Sequence, residues 1–223
     1  MKNKYVVLSI AVLLLGLAVA GGTYAWLTLA LNVTNANYNV GSHCFSINYN
    51  IDNEDGSQDI SGTLFPGSGP IKGLSGRVGF KVSDSCDLLA SGTLKLHLNS
   101  ETSTIFGTVG EAHCENPDTY ETLHEYTTSS ECAGHGNWTS TSTVLKYAVY
   151  DNATATGTPI GAGFITTSDI GTDKVIAENI DITKTQAYYY VFIWLDGYLT
   201  DNTYTELPFS GYISANAVQK VSE

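Results

Sequence analysis

Four cysteines are the residues of this chain whose chemistry is easiest to define: Cys44, Cys86, Cys114 and Cys132. In an exported protein, four cysteines most simply form two disulfide bonds. A bond between Cys114 and Cys132 would close a short loop. The entropy that this bond removes from the unfolded chain would stabilise the fold by about 3 kcal/mol. Cys44 and Cys86 would then join the ends of two strands. The sequence leaves the other two pairings open.

The same part of the chain supports a second interpretation, in which thiolates and imidazoles bind zinc. The candidate ligands are His113, Cys114, His124, Cys132 and His135. Cys132 and His135 have the short spacing that tetrahedral zinc sites use, whereas the first pair of ligands, His113 and Cys114, lacks it. Because export favours oxidation of thiols, we predict disulfides here, and neither a metal nor another cofactor.

His124 and Glu125 also begin the sequence HExxH, in which two histidines one helical turn apart bind a catalytic zinc ion. Thr128 stands where the second histidine should be, and the surrounding residues have no helical periodicity. The sequence contains no nucleophile elbow, Walker loop or dinucleotide fingerprint. We therefore predict that the protein is not an enzyme.

The start of the chain has the pattern of an export signal that forms a hydrophobic helix. Lys2 and Lys4 precede an uncharged apolar run at residues 5–20. Small residues then lead to the bond between Ala25 and Trp26, where we predict cleavage by signal peptidase and release outside the cell. An uncleaved membrane anchor is the alternative, because the uncharged run continues past Ala25 and a span needs about 20 apolar residues.

The residues after the predicted cleavage site change to a period of two. The apolar residues of this segment are Leu27, Leu29, Leu31 and Val33. They alternate with small or polar residues, so they would lie on one face of a β-strand. A membrane-spanning helix has no reason to show this period, which favours cleavage. The mature protein would therefore begin with a half-apolar strand.

The charge of the chain limits its partners. The chain contains ten Lys and Arg residues and 22 Asp and Glu residues, which gives a net charge of −12. This charge argues against nucleic acid and anionic membrane surfaces, and it favours solubility outside a cell. We expect membrane contact only through the leader, and signal peptidase as a partner during export.

Most of the remaining chain alternates apolar and polar residues in short runs separated by turns. The predicted strands cover residues 45–51, 74–83, 90–98, 144–150, 163–167, 175–182, 188–195 and 209–217. The strands at 74–83 and 90–98 are expected to pair as an antiparallel meander. Residues 188–195 are apolar on both faces, which is typical of a central strand. Residues 64–70 contain two prolines and are predicted to form a turn.

This pattern predicts an all-β fold, an antiparallel β-sandwich or jelly roll, in a single domain at residues 26–223. Residues 99–143 interrupt the rhythm, and they form a longer connection than compact domains usually have. This segment holds two of the four cysteines and three of the five histidines. We therefore interpret residues 99–143 as an insertion into the sandwich.

Four segments carry a resemblance to a known family. They are the end of the leader at residues 21–26, the turn at 64–68, the aromatic strand that runs into 194–197, and the closing segment at 209–213. In these segments the chain resembles the secreted TasA-like and camelysin-like proteins of Gram-positive bacteria, whose leaders are cleaved by a SipW-type signal peptidase. For TasA-like members the resemblance implies a jelly-roll-like fold and extracellular fibres, in which the freed N-terminal strand completes the sheet of the next subunit. Camelysin-like members are associated with metalloprotease activity.

These observations predict a secreted structural protein of the cell surface or biofilm matrix. Its copies would associate by donor-strand exchange through residues 27–33, because an added strand supplies ladder hydrogen bonds and alternating side chains. The first alternative is a monomeric extracellular adhesin whose insertion binds a glycan or a host protein. The second alternative is a camelysin-like metalloprotease.

Overall fold

A computed structural model describes residues 44–49, 59–205 and 207–220. The leader, the cleavage site between Ala25 and Trp26, and the donor strand at residues 27–33 lie outside the described residues and stay predictions. Within the described part of the chain, no helix is long and apolar enough to cross a membrane.

The described residues form short strands with a few helical turns between them. In chain order the strands are β1 Phe45–Tyr49, β2 Gly62–Leu64, β3 Pro66–Gly67, β4 Leu74–Val82, β5 Ala90–Leu98, β6 His113–Glu115, β7 Asn137–Thr139, β8 Leu145–Tyr150, β9 Gly161–Phe164, β10 Asp173–Ile182, β11 Ala187–Asp196, β12 Leu207–Phe209 and β13 Gly211–Gln219. The helical segments are the α-helix α1, Ser129–Cys132, and 3-10 turns at Pro70–Lys72, Thr104–Gly107, Thr167–Asp169 and Asn202–Tyr204.

Two main sheets organise these strands. The larger sheet has the antiparallel order β1-β4-β11-β8-β9, and β3 adds a short parallel pair to the end of β11. The smaller sheet has the antiparallel order β10-β5-β13. Two small sheets pair β12 with β2 and β6 with β7. The prediction that residues 188–195 form a central strand is confirmed, because β11 lies in the middle of the larger sheet.

The two main sheets pack face to face through the apolar side chains that alternate along their strands. Val78 and Phe80 of β4 are buried, as are Leu94 and Leu96 of β5. The Phe80 ring lies so close to β5 that a Cβ atom at Gly92 would be 3.1 Å from it. The predicted antiparallel β-sandwich is therefore confirmed, and the jelly-roll connectivity stays a prediction.

The sheets meet closely along one side of the sandwich, where β9 lies beside β10. A Cβ atom at Gly161 would be 2.0 Å from the carbonyl oxygen of Ile176, so this close approach requires glycine. The register of β10 shifts between Val175 and Ala177 and again between Ala177 and Ile180. Such irregularities bend a strand, which suits β10 to this narrow side of the sandwich.

The predicted pairing of residues 74–83 with residues 90–98 is wrong. β4 pairs with β1 and β11 in the larger sheet, whereas β5 pairs with β10 and β13 in the smaller sheet. Alternation determines which side chains share a face, but it does not determine which strand lies alongside. The connection at residues 83–89 crosses from one sheet to the other.

The prediction that residues 64–70 form only a turn is also wrong. Pro66–Gly67 pairs in parallel with the end of β11, and the N–H of Gly197 donates to the carbonyl oxygen of Gly67 at 2.9 Å. The proline is tolerated because β3 is a two-residue strand with β11 as its one neighbour among the described strands.

The insertion at residues 99–143 contains one 3-10 turn, β6, α1 and β7. The sequence analysis did not predict α1. Thr128 caps this helix, and its side chain and that of Glu131 bond reciprocally to each other's backbone N–H groups. This capping box, with Thr and Glu three residues apart, is the sequence signal for the helix.

Candidate functional site

Both disulfide pairings that the sequence favoured are present. Cys44 is bonded to Cys86 and Cys114 to Cys132, each with a Cα–Cα distance of 5.5 Å. The first bond ties the residue before β1 to the connection between β4 and β5. The second bond ties β6 to the end of α1 and so holds the insertion together.

The zinc interpretation is wrong, because all its cysteine ligands are oxidised. Its histidines also face separate partners. The His113 ring is buried and lies 3.3 Å from Glu115, while His124 stacks on Tyr198 and His135 stacks on Tyr126. Among the described residues, no group of three or more His, Cys, Asp or Glu side chains is arranged to hold a metal ion.

The HExxH-like segment does not form a metal-binding helix. His124 and Glu125 lie in a turn, and α1 begins only at Ser129 after its cap at Thr128. The geometry of the motif requires two histidines on one helical face, and this segment supplies neither the helix nor the second histidine.

A buried charge cluster joins the insertion to the larger sheet. Lys146 of β8 is completely buried. Its Nζ atom lies 2.9 Å from Oε2 of Glu115 on β6 and 3.0 Å from Oδ2 of Asp196 on β11. The same amine donates a hydrogen bond to the backbone carbonyl of Tyr120. We call Glu115, Lys146 and Asp196 the buried triad.

Glu115 has a second partner in the His113 ring, whose Nε2 atom is 3.3 Å from Oε2. Burial opposes the ionisation of Glu115. The hydrogen bond with His113 and the charge of Lys146 outweigh that effect, and they hold the pKa of the Glu115 carboxyl below its ordinary value. Glu115 is therefore a carboxylate that accepts hydrogen bonds at neutral pH.

Asp196 is oriented by two donors besides the lysine. The Thr122 hydroxyl donates to Oδ2 at 2.6 Å, and the backbone N–H of Tyr198 donates to Oδ1 at 3.0 Å. Both carboxylate oxygens thus have a defined partner. The side chain of Asp196 is only 4% exposed, so bulk water has little access to it.

The sequence analysis missed the buried triad. Its signal is Lys146, a charged residue within the otherwise apolar run of residues 145–150. Lys146 shares a strand face with Ala148 and Tyr150, and an apolar face with one lysine indicates a buried charge that needs partners. Those partners lie far away in sequence, so only the folded chain identifies them.

A small cavity lies beside the triad, at the edge of the insertion. Its volume is about 280 Å³, and its lining includes Glu121, His124, Glu125, Trp194 and Tyr198. The rings of His124 and Tyr198 stack with their centroids 4.3 Å apart, and Tyr198 is 50% exposed. Flat rings beside carboxylates provide the two kinds of contact that a sugar ring uses, apolar stacking and hydrogen bonding.

The tyrosines at residues 188–190 do not all pack inside the sandwich. Tyr189 points into the core and meets the edge of the Phe80 ring, with centroids 5.8 Å apart. Tyr188 points to the other face of the sheet, where it is 40% exposed and lies 4.6 Å from the Arg77 guanidinium. Of the three tyrosines, only Tyr189 therefore lies in the core between the sheets.

The edge of β13 that faces away from β5 is held by a side chain from the other sheet. The Tyr49 hydroxyl accepts a hydrogen bond from the N–H of Ala215 at 3.0 Å and donates one to the carbonyl oxygen of Ala215 at 3.3 Å. In an antiparallel ladder the N–H and C=O of one residue point to the same side, and successive residues alternate. The backbone groups of Ile213 and Ala217 therefore point to the same side as those of Ala215.

Within the described residues, this side of β13 has no strand partner after Tyr212. A single bridge joins Tyr212 to Asp59, and the sheet order ends at β13. We call this side of residues 213–219 the open edge. It lies on the side of the sandwich where β1, the edge strand of the larger sheet, approaches β13 through Tyr49.

Neither a protein-family model nor a curated protein matches the chain. The fold and the sulfur chemistry define its class, an all-β antiparallel sandwich with two disulfide bonds. Disulfides of this kind are typical of proteins in oxidising compartments.

Proposed function

We propose that this chain is a secreted structural protein of the cell surface or extracellular matrix, and that its copies assemble by strand addition. The donor is the segment at residues 27–33, which signal peptidase places near the new N-terminus. The acceptor is the open edge of another copy. The partner is therefore a second copy of the chain, without nucleic acid, and the membrane is contacted only before the leader is removed.

The observation that carries the proposal is the geometry of the open edge. Ile213, Ala215 and Ala217 aim their N–H and C=O groups away from β5, which is the arrangement that an added strand requires. Among the described residues this edge has no strand partner after Tyr212, and such an edge is a template for association between chains. The donor and the open edge each comprise about seven residues, so one strand could pair along the whole edge once the Tyr49 hydroxyl releases Ala215.

The side chains at the open edge fit an apolar donor. Ile213, Ala215 and Ala217 are buried on the core side of β13, and Ile47 of β1 is buried on the facing sheet. A strand that pairs with β13 would direct every second side chain toward this core. In the donor, Leu27, Leu29, Leu31 and Val33 occupy those alternate positions.

Electron microscopy of the processed protein tests the proposal. We expect filaments from the chain that begins at Trp26, and none from a chain that lacks residues 26–34. Ala217→Pro removes one N–H from the open edge without removing a hydrogen bond to β5. This variant should therefore fold normally but assemble poorly. Ala217→Gly keeps the N–H and is the matched control. Normal filaments from the proline variant would exclude the open edge as the acceptor.

The cavity beside the insertion favours a second function, a glycan-binding module. Tyr198 offers an exposed ring face, and Glu121 and Glu125 offer acceptors for sugar hydroxyls. A glycan array probed with the wild-type protein and with Tyr198→Ala tests this function, with Tyr188→Ala as the control at an exposed tyrosine elsewhere. Binding that only Tyr198→Ala removes would support the module, and an array without any bound glycan would exclude it.

A further inference from the structure

The buried triad has the geometry of a reactive site. The Lys146 amine and the Asp196 carboxylate are in contact at 3.0 Å, and Glu115 contacts the same amine at 2.9 Å. We infer that Lys146 and Asp196 condense to form an intramolecular isopeptide bond, with Glu115 as the group that carries the proton. This inference does not depend on the proposed assembly.

The sheet places the two reacting side chains side by side. Lys146 of β8 lies opposite Trp194 of β11, and the N–H of Asp196 donates to the carbonyl oxygen of Val144. Lys146 and Asp196 are therefore diagonal neighbours, two residues apart in register, on the same outer face of the sheet. Their backbones are fixed by the central ladder, so contact between the two groups requires no further ordering of the chain.

The reaction balances without another reagent. The ammonium group of Lys146 gives up a proton, which passes by way of Glu115 to Asp196, and the neutral amine attacks Cγ of the Asp196 carboxylic acid. A bond forms between Nζ and Cγ, and one bond from Cγ to a carboxyl oxygen breaks. That oxygen leaves as water with two hydrogens that came from the amine, one of them by way of Glu115. Glu115 returns to its carboxylate form, and an ammonium and a carboxylate have become an amide and one water.

The surroundings of Asp196 stabilise the charge that develops during this attack. The backbone N–H of Tyr198 donates to Oδ1 at 3.0 Å, where the negative charge of a tetrahedral intermediate would accumulate. The Thr122 hydroxyl donates to Oδ2 at 2.6 Å and so orients the oxygen that departs. Thr122 is thus a positioning residue.

Burial favours the end of the reaction, because the product is uncharged. The side chains of Lys146, Asp196 and Glu115 are 0%, 4% and 7% exposed. Charges are costly in such a site. The amide product carries no charge.

The bond would join two central strands of the larger sheet, directly beneath the insertion that supplies Glu115. It would close a covalent loop from residue 146 to residue 196. The two disulfides already tie β1 and the insertion into place. A third covalent link would resist reduction, which suits a protein exposed to changing conditions outside a cell.

Intact-mass measurement of the full chain, reduced and denatured, tests the inference. We expect the wild-type mass to be lower by one water. Digestion with trypsin should yield two peptides joined through Lys146 and Asp196, without cleavage after Lys146. Lys146→Arg and Glu115→Gln should each restore the mass expected from their sequences. A folded wild-type protein with its full unmodified mass would overturn the inference.

Asp196 precedes Gly197, and an Asp-Gly pair can also lose water by forming a succinimide. The two products are distinguished by the lysine, since the succinimide persists in Lys146→Arg and yields no joined peptides.

Asp196→Asn gives a further check. It would lose ammonia rather than water, and its linked product would have the same mass as linked wild-type protein. Water loss that persists in Lys146→Arg, or an absence of joined peptides in the wild type, would also overturn the inference.

Discussion

The Tyr49 hydroxyl bonds to both backbone groups of Ala215, at 3.0 Å to the nitrogen and 3.3 Å to the oxygen. Tyr49 belongs to the larger sheet and Ala215 to the smaller sheet, so this contact bridges the two sheets at the open edge. An incoming strand would need the same N–H and C=O groups of Ala215. Strand addition would therefore require Tyr49 to release them.

Tyr49→Phe should weaken the isolated protein and speed its assembly. Loss of the hydroxyl removes two hydrogen bonds, which we expect to lower the free energy of unfolding by about 1 kcal/mol. The same change leaves Ala215 available to a donor strand, so filaments should form several-fold faster. Urea unfolding and light scattering measure the two effects. Slower assembly in a correctly folded Tyr49→Phe protein would contradict the role given to this contact.

Replacing Cys114 and Cys132 with serine should destabilise the insertion. The bond closes a loop with a sequence separation of 18 residues, and its removal should lower the free energy of unfolding by about 3 kcal/mol. The bond between Cys44 and Cys86 has a separation of 42, and its removal should cost about 4 kcal/mol. Urea unfolding of the two double variants checks the values. Equal stability of the wild type and either variant would contradict this prediction.

Gly161→Ala should strongly destabilise the protein where β9 of the larger sheet packs beside β10 of the smaller sheet. Its new Cβ would lie 2.0 Å from the backbone oxygen of Ile176, which cannot move without shifting β10. Gly163→Ala on the same strand is the control, because its nearest contact is the Tyr147 side chain at 2.9 Å. Thermal unfolding should show a lower Tm for Gly161→Ala than for Gly163→Ala. The reverse order would mean that the two sheets do not approach as described.

Tyr147 should contribute to loss of stability in alkali. Burial, with the nearby charges of Tyr120 and Asp169, raises its pKa to about 12 from an ordinary value of 10.0. The folded state holds the Tyr147 proton more tightly than the unfolded state does. The stability that this proton contributes is therefore fully present below pH 10 and is lost as the pH rises toward 12. Between pH 10 and pH 12 the free energy of unfolding of Tyr147→Phe should therefore fall by roughly 2 kcal/mol less than that of the wild type. Urea unfolding across the range checks it, and parallel profiles for the two proteins would contradict it.

Much of the sandwich can be predicted from the sequence, because long alternating runs have one interpretation. Residues 90–98 form a strand with the predicted bounds, and residues 188–195 are central as predicted. The pairing of β4 with β5 was predicted wrongly, since a pattern of faces does not specify neighbours. The three-residue strands β6 and β7 have no such pattern, and they are held by contacts with the rest of the insertion.

The candidate sites were less predictable for a related reason. The disulfides followed from cysteine number and an expected export route, and the structure contains both favoured pairs. The buried triad combines residues from β6, β8 and β11, and nothing local links Glu115 or Asp196 to Lys146. Only the register of β8 on β11 and the docking of the insertion bring these three groups together.

Binding of a peptide with the sequence of residues 26–34 to a chain that lacks those residues tests strand addition most directly. Isothermal titration should show saturable binding of one peptide per chain, and hydrogen exchange at the amides of Ala215 and Ala217 should slow when the peptide is bound. Ala217→Pro should weaken the binding at least tenfold, and Ala217→Gly should not. Absence of binding, or equal binding to the proline variant, would contradict assembly through the open edge of β13.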